Sequence, residues 1–329
     1  MLIEFYQDKR ILVTGGSGFL ATNLVEALKD TKCFIRRLSR GARFPVHAGA
    51  ARIEDMKADI AEEATWERAL DGIDIVFHFA AQTGVSTANE DPVADFGANV
   101  LPMLRMLEAC RKKNLHPVAL FSGTVTEAGI TDRIPVDENI PDNPVTVYDL
   151  HKMMAENYLK YYVRKGMVRG AVLRLANVYG PGPRSSGANR GVLNGMIEKA
   201  LEGRTLTIYG QGDYVRDYIY VRDVVGAFLA AGASIDRLNG RHYVIGSGTG
   251  HTIAETVRMI ASRVERISGF PVAVMHVDLP DGMSPIEQRN FVADTTHFSS
   301  RTGWMAGTSL AEGIDLTIDY FVREAEVAS

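Results

Sequence analysis

Residues Val147 to Lys152 read VYDLHK, which sets a phenol at Tyr148 and an ammonium at Lys152, four residues apart. On a helix, side chains at i and i+4 project from one face, so the two can act as a couple. A phenol titrates at about pH 10, too high to serve as a base at neutral pH. A neighbouring ammonium, or a cationic ring brought alongside, favours the ionised form and would make Tyr148 a proton-transfer residue tuned by Lys152. The same spacing also arises in ordinary amphipathic helices, with the tyrosine in the core and the lysine in water. The rest of the chain decides between these readings.

A second stretch with chemical content is VTGGSGFLATNL, residues 13–24. It follows an apolar strand-like run and opens a helix-like one, the context that a glycine-rich cofactor turn needs. Gly15 and Gly18 would let the backbone approach a pyrophosphate. Ser17, Phe19 and Leu20 would open the helix whose positive end meets that charge, with Ala21 as the third small position. No lysine follows in the pattern of a nucleoside-triphosphate loop, which disfavours a triphosphatase.

Both stretches require a scaffold of strands and helices, and the sequence supplies one. RILVTGG, CFIRRLS, DIVFHFAA, PVALFSG and AVLRLAN read as buried strands. They alternate with the helical stretches NLVEALKD, TWERALDG, MLRMLEACRKK and residues 147–164, the rhythm of a parallel sheet joined by helical crossovers. The Gly, Pro and Ser-rich run NVYGPGPRSSGANRG ends that rhythm as a loop. The expected architecture is α/β: a Rossmann, doubly wound parallel sheet over residues 1–177, with later segments able to return to it, and a smaller mixed α/β substrate domain over residues 178–329. In the second part, TLTIYG, HYVIGS and VAVMHVD read as strands and three longer stretches as helices.

Composition narrows the partners. Lys plus Arg number 36 against 40 Asp plus Glu, a formal charge of −4, and no basic stripe runs along the chain to follow a nucleic-acid backbone. A small-molecule partner is expected and no nucleic acid. Two cysteines, Cys33 and Cys110, make neither a disulfide framework nor a metal-ligand pattern, so no metal is expected. MLIEFYQDKR places its charges after a short apolar start, the reverse of a secretory signal, and no apolar run approaches the roughly 20 residues of a membrane span. A cytoplasmic protein without a membrane partner is the expectation. His47, His78 and His242 have no partner pattern and are read as structural.

Taken in order, TGGSGFLATNL, KADI, VFHFAAQTGV, DFGANV, FSGT, YDLHK, RLANVYGPG and VRDYIYVRDV resemble the extended branch of the short-chain dehydrogenase/reductase superfamily that acts on nucleotide sugars, the branch of UDP-glucose 4-epimerase and the 4,6-dehydratases. The resemblance spans nearly the whole chain and implies an NAD(P)-dependent enzyme with a nucleotide-diphosphate sugar as substrate and a homodimer as its assembly. It implies Tyr148 and Lys152 as the acid–base couple beside the nicotinamide, with Thr124 of FSGT bonding the same sugar oxygen and Ser122 a weaker candidate. Asp59 and Ile60 would meet the adenine, Phe79, Ala80 and Ala81 would wall the dinucleotide, and Asn99 would stand by the ribose. Thr83, Thr124, Asn177, Arg216 and, more loosely, Arg289 would hold the substrate, and the loop GPGPRSSGANRG would close over it.

Three departures from the family pattern matter. NAD-selective folds end the second strand with a carboxylate that binds the adenosine 2'-hydroxyl. Here Ser39 and Arg40 stand instead, which suits a 2'-phosphate, so the expectation leans to NADP(H) with NAD open. Arg36, Arg37 and Arg40 could alternatively form a solvated basic strand end. The dehydratase carboxyls are replaced by Val125 and Thr126, with Glu127 one place out of register, which disfavours elimination. Asp149 and His151 replace a usual Gly and Ser inside the helix motif, and neither is expected to face the nicotinamide. The leading reading is a nucleotide-sugar epimerase working through a transient 4-keto sugar. An NADPH-dependent ketoreductase is the alternative, and a non-catalytic dinucleotide sensor or scaffold lies further off.

Overall fold

The structure is a computed structural model and describes residues 2–41, 48–183, 191–280 and 282–328. Among the described residues the strands run in order β1 (Arg10–Thr14), β2 (Phe34–Ser39), β3 (Arg52–Lys57), β4 (Ile75–His78), β5 (Val118–Thr124), β6 (Arg169–Leu175), β7 (Asn177–Tyr179), β8 (Leu206–Tyr209), β9 (Val215–Tyr220), β10 (His242–Ile245), β11 (Gly250–Thr252) and β12 (Val274–Val277). Seven of them form one parallel sheet in the order β10-β6-β5-β4-β1-β2-β3. This is a Rossmann sheet, and its strand order reverses between β1 and β4, where a crevice must open at the carboxyl ends of the strands.

Period-two alternation explains how the sheet is covered. Ile11 and Val13 of β1 point into one core with Leu24, Leu28 and Phe228, whereas Leu12 between them points into the other with Trp66, Met103 and Leu159. Burial on both faces is why these strands read as continuous apolar runs. The helix Val147–Arg164 has the limits that the sequence leads one to expect. Thr146 caps it, its Oγ1 accepting from the Asp149 N–H at 3.2 Å.

β3 was not expected. Its sequence RIEDMK is mostly exposed and carries little apolar signal, yet it pairs along the whole of β2. The pairing accounts for two arginines. Arg36 Nε donates to Glu54 at 2.7 Å, and its Nη1 to the Arg68 and Ala69 carbonyls; Arg37 Nε donates to Asp55 at 2.6 Å. Both are buried, so the reading of Arg36 and Arg37 as a solvated strand end is corrected.

Beyond β6, β7 and β11 flank β9 in a three-stranded sheet, β8 pairs β12, and β10 returns to the large sheet beside β6. A third apolar core, with Leu193, Ile197, Tyr220, Ile260 and Ile314, joins these elements to the helices Val192–Leu201, Ile253–Ser268 and Leu310–Ala328. The helix Val221–Ala233, apolar on nearly every side, is buried between this region and the large sheet. No helix among the described residues is long and apolar enough to cross a membrane.

Candidate active site

At the crevice between β1 and β4 lies a cleft of about 750 Å³. The chain leaves β1 through Gly15 at φ +68°, where a Cβ would stand 3.0 Å from the Ala80 backbone. Only glycine allows this approach at this left-handed φ. Gly16 N–H donates to the Leu38 carbonyl at 3.0 Å and Gly18 N–H to the Gly15 carbonyl at 2.7 Å, which fixes the turn against β2. The helix Phe19–Leu28 begins at Gly18 without a side-chain cap, so its first N–H groups are available to an anion in the cleft.

The wall opposite is held by Thr14, whose Oγ1 accepts from the Phe79 and Ala80 N–H groups at 3.1 Å and bonds His78 Nδ1 at 2.9 Å. His78 is buried, and desolvation followed by the nearby Lys152 charge pushes its pKa down to about 3. It is a neutral strut, as a structural histidine should be. His242 likewise bonds Glu156 at 3.0 Å, and His47 lies outside the described residues.

Gly15, Ser17, Gly18, Phe19, Leu20, Ser39, Arg40, Asp59 and Ile60 line one end of this cleft; Phe79, Ala80, Ala81, Thr83, Thr124, Tyr148 and Lys152 line the rest. Ser39 Oγ bonds Ser17 Oγ at 2.8 Å where a carboxylate would otherwise end β2. Asp59 accepts from the Ala61 N–H at 2.8 Å, so it is set by its own turn. Gln82, Ser122, Gly97 and Ala98 also line the cleft. Gln82 carried no chemical signal in the sequence, but it abuts HFAA.

Asn99 does not line the cleft. Its Oδ1 accepts from the Gln82 N–H at 3.1 Å, and its Nδ2 donates to the Gln82 carbonyl at 3.0 Å and to Asp95 at 2.9 Å. The amide is therefore spent on holding the cleft wall, and a ribose partner would have to displace it. Asp95 also accepts from His151 Nδ1 at 2.7 Å, which joins the helix Pro92–Asn99 to the Tyr148 helix. Neither Asp149 nor His151 faces the cleft.

Tyr148 and Lys152 enter the cleft from the first turns of their helix. The expected lowering of the phenol is not a property of the protein alone. Burial, with the Asp149, Glu127 and Asp95 charges, holds the Tyr148 pKa well above its ordinary value. Lys152 is pushed down to about 8 by burial, against the opposing pull of Glu127, Asp95 and Glu156, and its Nζ lies 4.2 Å from the centre of the Phe121 ring. A phenol in this setting is a proton donor until a further positive charge arrives. Glu127, out of register for elimination, is fully buried, accepts from the Thr124 N–H at 3.0 Å and sits 3.2 Å from Arg174.

Asn177, Arg216 and Arg289 gather away from the cleft lining. Arg289 Nη2 donates to Asn177 Oδ1 at 3.4 Å and its Nη1 to the Ile286 carbonyl at 2.8 Å, while its buried Nε has no partner. Arg216 donates to the carbonyls of Val215, Glu287 and Arg289. The neighbouring Asp217 is occupied by Ser247, Gly248 and Ala293. Burial lowers both guanidiniums, Arg289 to about 10 with Arg216 adding repulsion. Two buried cations thus meet mainly carbonyl oxygens, with no ion pair to either among the described residues.

The sequence model of the NAD dependent epimerase/dehydratase family matches residues 11–246. The chain belongs to this family. It is 31% identical over 325 residues to a UDP-glucose 4-epimerase of Mycolicibacterium smegmatis, covering 96% of this chain and 100% of that one. Among solved structures, the UDP-glucose 4-epimerase of Thermotoga maritima with UDP-glucose superposes with a TM-score of 0.83 at 28% identity, over 96% and 99% of the two chains. The UDP-glucose 4-epimerase of Thermus thermophilus in complex with NAD gives 0.79 at 30% identity, over 95% and 99%. Membership makes the chain a nicotinamide-dinucleotide-dependent enzyme of the short-chain dehydrogenase/reductase type. The cleft fits the dinucleotide that this family uses: the Gly15–Ala80 approach leaves the backbone bare, and the uncapped helix after Gly18 offers N–H groups to a pyrophosphate.

Proposed function

We propose that the protein is a nucleotide-sugar 4-epimerase that takes a UDP-hexose through a transient 4-keto sugar. The observation that carries this reading is the meeting of the glycine turn with Thr124, Tyr148 and Lys152 in one cleft. The buried Arg216–Arg289 pair supports a diphosphate-bearing substrate, as does the UDP-glucose of the Thermotoga maritima relative. A dehydratase is disfavoured because Val125 and Thr126 replace its carboxyls and Glu127 is engaged with Arg174 inside the core.

In this reading Thr124 and Tyr148 hold the sugar 4-oxygen, and Tyr148 takes its proton and later returns it. When bound, the dinucleotide supplies the hydride acceptor and, oxidised, a positive ring beside the phenol. That charge opposes the Asp149, Glu127 and Asp95 fields that keep Tyr148 protonated in the protein alone. Lys152, little hydrated and already close to deprotonation, can follow the phenol's charge. Asn177, Arg216 and Arg289 receive the diphosphate, and Thr83 lies along the substrate side of the cleft.

At the adenosine end we infer a 2'-phosphate, hence NADP(H), because Ser39 and Arg40 stand where an NAD site has a carboxylate. A homodimer through the helices bearing Asn99 and Tyr148 is supported by the exposed Val93, Leu150 and Tyr161 on them. The substrate-closing segment falls partly on residues 184–190, outside the described residues.

Two measurements test the reading. Denaturing freshly purified protein and identifying the released dinucleotide by mass spectrometry should yield an oxidised, phosphorylated form; NAD in its place overturns the 2'-phosphate assignment. An empty site that takes up NADPH and reduces a keto sugar would replace the epimerase with the ketoreductase. Tyr148→Phe should lower UDP-galactose to UDP-glucose turnover by about 10²–10⁴-fold with dinucleotide binding retained; unchanged turnover removes the mechanism.

A further inference from the structure

Thr124, the hydroxyl at the reacting end of the cleft, is wired to a buried carboxylate that the mechanism above uses only through its field on Tyr148. Thr124 Oγ1 lies 2.8 Å from Thr126 Oγ1, and Thr126 Oγ1 donates to Asp149 Oδ1. Asp149 has no exposed surface, and its second oxygen, Oδ2, has no hydrogen-bond partner. The carboxylate is held at the start of the Tyr148 helix by its own N–H, which donates to Thr146.

A hydroxyl has one proton to give. Burial raises the Asp149 carboxyl, while the Thr126 and Thr146 hydrogen bonds and the Arg289 charge favour its ionised form; ionised, it can only accept, so the Thr126 proton is committed to Asp149. The Thr126 oxygen must then accept in its contact with Thr124, which commits the Thr124 proton to Thr126. One lone pair of Thr124 is already taken by the Thr126 N–H at 3.3 Å. What Thr124 turns to the cleft is therefore its remaining lone pair, an acceptor.

We propose that Asp149 is a positioning residue that acts through Thr126 to lock Thr124 as a hydrogen-bond acceptor, so that the site favours a sugar alcohol over the corresponding ketone. This rests on the nucleotide-sugar reading of the cleft. While Tyr148 keeps its own proton and donates to the sugar oxygen, an alcohol can donate to the Thr124 oxygen, and its proton turns to Tyr148 once the phenol is ionised. A carbonyl oxygen cannot donate, and would face a lone pair. The same lock leaves Tyr148, which burial and neighbouring carboxylates keep protonated in the ligand-free protein, as the one proton donor of the Thr124–Tyr148 pair toward a keto oxygen. The residue type at position 149 thus sets the direction of a hydrogen bond two side chains away.

The test is calorimetric titration of the cofactor-loaded protein with UDP-glucose and with UDP-4-keto-6-deoxyglucose, in wild type, Thr126→Val, Asp149→Asn and the double variant. The readout is the ratio of the two dissociation constants, keto over alcohol, in which effects of the missing 6-hydroxyl cancel between variants. Thr126→Val keeps the side-chain shape and frees the Thr124 proton, so the ratio should fall by about three- to tenfold, the worth of one hydrogen bond. Asp149→Asn, whose amide can donate to Thr126, should lower it in the same direction, and by clearly less when added to Thr126→Val, where only the Asp149 field on Tyr148 remains to be lost. A ratio that stays at the wild-type value in both single variants overturns the lock. So does an Asp149→Asn effect that is undiminished on the Thr126→Val background, because Asp149 would then act without passing through Thr126. A wild type that takes neither ligand overturns the functional reading, and this inference with it.

Discussion

Arg174 and Arg289 are both buried guanidiniums, and they stand in opposite surroundings. Arg174, on β6 behind the catalytic strand ends, donates to Glu156 at 2.7 and 2.9 Å and to Asp142 at 2.5 and 3.0 Å, with Glu127 also at 3.2 Å. Burial alone would lower it, but the Glu127, Asp142 and Glu156 carboxylates carry it well above the ordinary arginine value. Arg289 meets one carbonyl, one amide oxygen and the repulsion of Arg216, and falls to about 10. Lys152, facing the cleft, is lowered as well. The cation behind the cleft is paired directly with carboxylates, whereas Lys152 and Arg289 have no ion pair among the described residues and feel Glu127, Asp95 and Glu156, or Glu287 and Asp149, only at longer range. The first arrangement organises the protein; the second leaves desolvated positive charge, at a cost to stability.

The largest expected consequence concerns Arg174. Arg174→Leu leaves Glu127 buried without its cation and Glu156 with only Lys160 and His242, a loss of about 3–5 kcal/mol. Chemical denaturation measures it, and a loss below about 1 kcal/mol would dissolve the contrast with Arg289.

Lys152 gives a pH-dependent version of the same contrast. Its folded pKa of about 8 lies below the 10.5 of the unfolded chain, so below pH 8 both states carry the proton and the folded state bears the full cost of a buried charge. Between pH 8 and 10.5 the unfolded chain binds more protons, and that cost is progressively relieved as pH rises. The stability of wild type relative to Lys152→Met should therefore rise by roughly 3 kcal/mol across this window. Taking the difference removes the buried tyrosines and cysteines that titrate in both proteins. A difference that is flat with pH, or falls, would show that Lys152 is well solvated or paired and does not share the character of Arg289.

The paired and unpaired regions were unequally legible in the sequence. β1, β4, β5 and β6 could be read because strands buried on both faces are nearly all apolar, and the Tyr148 helix because Thr146 caps it ahead of an amphipathic run. β3 could not, since an edge strand whose task is to supply Glu54 and Asp55 to Arg36 and Arg37 has no apolar period. The Arg174 network was invisible for a related reason: Glu127, Asp142, Glu156 and Arg174 come from separate elements and meet only in the fold. At the site, motif position supplied residue types but not side-chain directions. Thr124, Tyr148 and Lys152 reach the cleft together, whereas Asn99 turns to Gln82 and Asp95. Asp149 stood out only as a departure from a usual glycine, and its partner Thr126 was legible only as a missing carboxyl.

The smallest effect is the one whose sign says most. Arg289→Met keeps the aliphatic length of the side chain and removes a buried charge that has no carboxylate partner, so the ligand-free protein should gain about 1 kcal/mol rather than lose it. It also removes the repulsion on Arg216. The same change should weaken nucleotide-sugar binding about ten- to a hundredfold, read as a rise in KM with kcat little altered, because the diphosphate would be held equally in ground and transition states. Thermal unfolding with and without UDP separates the two effects: the variant should melt higher than wild type alone and lose most of the stabilisation that UDP confers. If it melts lower without ligand, by an amount comparable to Arg174→Leu, then Arg289 is neutralised inside the fold as Arg174 is, and the anion receptor must be sought elsewhere on the chain.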